Sequence, residues 1–155
     1  MLLIRLFVIV IPFLYMALIW VQTSKFDPES VYMLSTQINM NILLMIGAGL
    51  ELAHLFEFGL LYVFILMVFL VFGKLSRRKE IIAIILAGGY GVLDEIHQYF
   101  IPFRSFSTVD LIKNGIGIWA LWFLIHRKYM KLDSKMGAFL RKLSIRKKET
   151  KDITF

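Results

Sequence analysis

Two acids, a histidine and an amide stand together at Asp94-Glu95-Ile96-His97-Gln98, with Arg104, Asp110 and Asn114 following within twenty residues. These types, close together, suit proton transfer between a carboxyl and an imidazole, or capture of an anionic group by a guanidinium. They interrupt segments apolar enough to sit in a bilayer, where each ionisable group costs free energy and so becomes a candidate for function.

The rest of the chain must place these residues. Of 155 residues 59% are hydrophobic, and the mean hydropathy of +0.73 is too high for a water-soluble domain. Four apolar stretches are long enough to cross about 30 Å of hydrocarbon. They run over 6–21, 52–72, 81–100 and 109–125. Pro102 stops the third helix, and Ser107 or Thr108 suits the N-cap of the fourth. The first stretch is expected to be a retained helix rather than a cleaved leader, since Trp20, Val21 and Gln22 stand where small residues would mark cleavage. Its Trp20 suits an interfacial anchor. The segment 30–50 has helical spacing and leaves two possibilities open, a separate interfacial helix or the start of a long second one.

Charge sets the expected orientation. The net charge is +7, with basic residues concentrated at 74–79 and after His126, whereas the basic residues of 22–51 and 101–108 are only Lys25 and Arg104. The positive-inside rule then puts both termini in the cytoplasm. The expected fold is an all-α integral membrane protein: a four-helix transmembrane domain over 1–126 and a basic cytoplasmic tail over 127–155. In that tail Leu132, Met136, Phe139 and Leu143 share a face, which predicts an amphipathic helix on the anionic inner leaflet. A disordered basic tail is the alternative, because Gly137 weakens the helix. Basic residues clustered after a membrane segment point to lipid rather than nucleic acid. With no cysteine there is no disulfide, thiolate metal site or thiol nucleophile.

In this topology the polar residues converge on the outer end. Glu51, His54 and Glu57 form one stripe on the second helix. Asp94, His97 and Gln98 share a face of the third, with Glu95 one step around. Asp110, Asn114 and Gly117 share a face of the fourth, with Lys113 beside it. Ala87, Gly88, Gly91, Gly115 and Gly117 would allow backbones to approach. Arg104, His54 and Lys113 are the expected cationic partners for the buried acids. Such a cluster can simply bind helices together, but the acids outnumber the cations, which favours protonation chemistry or a divalent cation. No spacing here matches an established metal motif, so no cofactor is established. His126, at the opposite end, reads as a helix-terminus residue.

These residues resemble the VanZ-like family of small bacterial membrane proteins. The likeness is carried by Asp94-Glu95-Ile96-His97-Gln98, Phe100, Pro102, Arg104-Ser105-Phe106, Asp110, Asn114 and Gly117, with a fainter match over His54–Leu61. The chain departs from the family at Phe103, where glycine is usual, at Glu51, where lysine is usual, and at Phe58, where an aromatic hydroxyl is common. The resemblance implies a multi-pass protein of the bacterial plasma membrane and an association with resistance to teicoplanin-type lipoglycopeptides. It implies no reaction.

Two mechanisms follow. In an enzyme, Arg104 and Lys113 clamp an anionic, lipid-linked envelope substrate with Gln98, Asn114 and Glu57 around it. Glu95, Asp94 or Asp110 then acts as acid or base, and His97 and His54 carry protons. In a non-catalytic binder the same cleft holds a lipid headgroup or the drug. A small transporter is a third reading. The sequence leaves enzymatic activity and oligomeric state open.

Overall fold

The computed structural model describes residues 2–25, 28–102, 104–131 and 135–145. Among them are six α-helices and no strand: α1 (Leu2–Ser24), α2 (Pro28–Gln37), α3 (Met40–Val71), α4 (Arg77–Tyr99), α5 (Thr108–Met130) and α6 (Lys135–Ile145). Phe103 and the end of the tail lie outside the described residues, as do the side chains of Glu51, His54 and Leu143.

The open segment 30–50 resolves both ways. Pro28 opens the short α2, and Asn39 then caps α3, its side chain accepting from the Asn41 N–H at 2.9 Å. The second apolar stretch is therefore the C-terminal part of a 32-residue helix, about 48 Å long. Further on, Ser76 caps α4 and Ser107 caps α5, the latter accepting from the Asp110 N–H at 3.2 Å.

Helices α1, α3, α4 and α5 alternate in direction around a core of Ile19, Phe58, Leu61, Tyr62, Leu66, Leu70, Ala83, Ala87 and Ile118. The closest approach is between α3 and α5. A Cβ on Gly117 would collide with the Leu55 carbonyl oxygen, and one on Gly59 would lie 2.7 Å from the Gly117 oxygen. Gly91 also faces a neighbour, with the Asn114 amide nitrogen 3.2 Å from where its Cβ would be. Gly88 and Gly115, expected to allow close approach, face open space.

Two helical stretches are long and apolar enough to cross a membrane, Arg5–Ser24 and Thr108–Met130; Leu55–Val71 is apolar but shorter. α4 does not join them because it carries charge at both ends, from Arg77 to Glu80 and at Asp94 and Glu95. The faces turned away from the bundle are themselves apolar. α1 exposes Leu3, Phe7, Val10, Leu14 and Leu18, and α5 exposes Ile112, Ile116, Trp119 and Phe123.

α6 forms a helix over the part of the tail where an amphipathic one is expected. It packs against α5 and α3 through buried Gly137 and Leu140, leaving Met136 and Phe139 exposed. Leu132 and Leu143, the other residues of the face read from the sequence, are outside the described set.

Candidate functional site

The last turns of α1 and α4 and the first turns of α5 meet at one end of the bundle. Asp94 and Glu95 are both 0% exposed, although they are carboxylates on a helix surface. Burial of this kind requires hydrogen bonds, and neutral groups provide several of them. Thr23 Oγ1 donates to Asp94 Oδ1 at 3.0 Å, and Gln98 Nε2 to Asp94 Oδ2 at 2.8 Å. The Ser107 N–H donates to Glu95 Oε2 at 2.8 Å, and Gln98 Nε2 lies 3.4 Å from Glu95 Oε1. Ser107 is the N-cap of α5, so the positive end of that helix's dipole adds to the field at Glu95.

The buried face of α4 is thus Asp94, Glu95 and Gln98. His97, placed on that face by the sequence pattern, instead turns toward the C-terminus of α1 and is half-buried. Its ring stacks on Trp20, with centroids 3.6 Å apart at 26°, and its Nε2 lies 3.1 Å from Ser24 Oγ. Ser24 Oγ also donates to the Trp20 carbonyl at 2.7 Å. Trp20, Thr23 and Ser24 therefore belong to the site, although the sequence marked only Trp20, as an anchor. The signal was the run Gln22-Thr23-Ser24 ending an apolar helix, polar where lipid contact would favour none.

On α5, Asp110 and Lys113 pair at 2.9 Å, both partly exposed, so this lysine neutralises its own helix neighbour. Asn114 lies one turn deeper and is 2% exposed, with no hydrogen-bond partner on Oδ1 or Nδ2 among the described residues. It fills the notch left by Gly91. Arg104 is half-buried in the α4–α5 loop. Glu57 is half-buried on α3, and Tyr90 Oη donates to the Met16 carbonyl at 2.6 Å. The structure thus brings together Asp94, Glu95, Gln98, His97 and the start of α5. The side chain of His54 lies outside the described residues. Among those described, no group of three or more His, Asp or Glu side chains is arranged to hold a metal ion.

The opposite end holds a second polar group. Glu80, buried in the first turn of α4, meets His126 Nδ1 of α5 at 2.9 and 3.2 Å. His126 is thus an inter-helix partner, not merely a helix-terminus residue. Beside it Lys79 Nζ donates to the carbonyls of Phe69, Gly73 and Lys74 at 3.0, 2.9 and 2.9 Å, closing the C-terminus of α3. Partial burial lowers the pKa of this ammonium from its ordinary value.

A family model described as VanZ/LLP1 matches residues 2–129. No curated protein and no solved structure matches the chain. The match runs from α1 through nearly all of α5 and takes in both polar ends, so the chain belongs to the VanZ/LLP1 family.

Proposed function

We propose that the chain is a multi-pass protein of the bacterial plasma membrane, in which α1, α3, α4 and α5 cross with both termini cytoplasmic. The end bearing Asp94 faces outward and engages an anionic or lipid-linked envelope component, giving protection against teicoplanin-type lipoglycopeptides. Orientation is supported by the basic residues at 74–79 and after His126, which accompany the Glu80 end of an alternating bundle. The exposed Met136 and Phe139 of α6, with Lys131 and Lys135 nearby, suit an anionic inner leaflet.

One observation carries the reading of the site. A fully buried pair of acids, bonded by Thr23, Gln98 and the Ser107 N–H, adjoins a buried amide that has no hydrogen-bond partner among the described residues. Each buried polar atom left alone costs about 1–3 kcal/mol, and this amide leaves two where the Glu80 end leaves one, the Tyr62 hydroxyl, among the described residues. In this reading Arg104 binds the anionic group, Asp94, Glu95 and His97 form the acid–base set, and Asn114 supplies a paired donor and acceptor.

Binding without catalysis is the second reading. The complete burial of both acids favours it, since neither reaches a ligand unless the elements packed over it move. Teicoplanin susceptibility in a sensitive Gram-positive host separates the two, comparing wild type with Glu95→Gln and Arg104→Ala at matched membrane levels. Loss of protection in both supports acid–base work by Glu95. Protection retained by Glu95→Gln but lost in Arg104→Ala supports binding. A wild-type chain that protects no cell removes the proposed phenotype.

A further inference from the structure

We propose that Ser24 and Trp20 are positioning residues which hold His97 as its Nε2–H tautomer. Nδ1 is thereby left as the proton-accepting atom toward a headgroup bearing a hydroxyl or an amine. The functional half of this inference rests on the reading of the Asp94 end as the working site.

The tautomer follows from counting protons. A serine hydroxyl has one proton to give and lone pairs to accept. The Trp20 carbonyl can only accept, and it lies 2.7 Å from Ser24 Oγ, so the Ser24 proton is directed there. Toward His97 Nε2, at 3.1 Å, the same oxygen then acts as an acceptor, and Nε2 must carry the hydrogen. In a neutral imidazole the other nitrogen is a bare acceptor. No partner takes Nδ1 among the described residues, whereas the Trp20 indole covers one ring face.

The neighbouring contact keeps this arrangement in register. Thr23 binds Asp94, and one residue later Ser24 binds His97, three residues along α4. The last turn of α1 therefore sets both groups at once. Tyr90, one turn before Asp94, fixes α1 again through the Met16 carbonyl.

A group that only accepts hydrogen bonds gains nothing from Nδ1. A hydroxyl or an amine can donate to it, and in a proton-transfer step its proton passes to Nδ1 while the ligand atom keeps the bonding pair. The imidazolium so formed keeps its Nε2–H on Ser24. The ligand class is thus an anionic headgroup, bound at Arg104, that also carries a hydroxyl or an amine.

The test is nitrogen NMR on full-length protein labelled with ¹⁵N-histidine in lipid nanodiscs, above the range where imidazole titrates, with His97→Gln assigning the resonance. The expected result is a protonated Nε2 and a bare Nδ1 on His97. Ser24→Ala should shift the tautomer ratio about fivefold toward Nδ1–H, as for loss of one ordinary hydrogen bond, and Ser24→Thr should restore it. An Nδ1–H tautomer in the wild type, or a ratio unmoved by Ser24→Ala, overturns the proposal. The functional half is read from teicoplanin protection, expected to fall in Ser24→Ala and return in Ser24→Thr. Full protection by Ser24→Ala while His97→Gln fails overturns that half alone. Full protection by His97→Gln and Arg104→Ala instead removes the reading of the site, and the tautomer result stands.

Discussion

Both ends of the bundle bury an acid of α4, about 21 Å apart along the helix axis, and they accommodate it differently. At the Glu80 end the carboxylate meets a histidine, and the neighbouring lysine gives each of its three protons to a carbonyl. The buried hydroxyl of Tyr62 is the atom left over. At the Asp94 end two adjacent carboxylates share one glutamine, borrow a threonine and a backbone N–H, and lie beside an amide with neither polar atom satisfied among the described residues. Matching stabilises the first arrangement. The second spends stability on polar capacity that the fold does not use, a pattern expected where function sets the residues.

The sharpest baseline is a change that damages both ends alike. Gly117→Ala should cost about 3 kcal/mol or prevent assembly, since its methyl group meets the Leu55 backbone and no rotamer relieves it. Thermal unfolding in micelles reads this; a midpoint within a degree of wild type would mean that the α3–α5 crossing is looser than described. His126→Ala should cost about 2 kcal/mol by leaving Glu80 buried without its partner, a figure reduced for the exposure of the imidazole. The protein that still folds should protect normally. Lys79→Met should cost about 1–2 kcal/mol through three lost carbonyl bonds, again without loss of protection. Asn114→Leu should do the reverse, leaving stability unchanged or raised by about 1 kcal/mol while protection disappears. Reduced stability with protection intact would show that Asn114 is part of the scaffold.

Much of the site was legible because helical spacing is local. Positions 94 and 98, and 110, 114 and 117, are grouped by periodicity alone, although the same periodicity puts His97 on the buried face and Glu95 one step around it, the reverse of the structure; antiparallel connection brings the end of α4 to the start of α5. Partners supplied by a distant helix were not legible. Thr23 and Ser24 sit 71 and 73 positions from Asp94 and His97, and His126 sits 46 from Glu80. No pattern within one helix indicates such pairings. Small residues were ambiguous for the same reason: Gly59, Gly91 and Gly117 face neighbours, whereas Gly88 and Gly115 have the same composition but the wrong azimuth.

The most direct measurement sets the two buried acids of α4 against each other, Asp94→Asn beside Glu80→Gln, in teicoplanin susceptibility at equal membrane levels. Each change keeps shape and removes one ionisable group. The account predicts that Asp94→Asn abolishes protection and that Glu80→Gln keeps it. Protection retained by Asp94→Asn, or lost only in Glu80→Gln, would contradict the assignment of function to the Asp94 end.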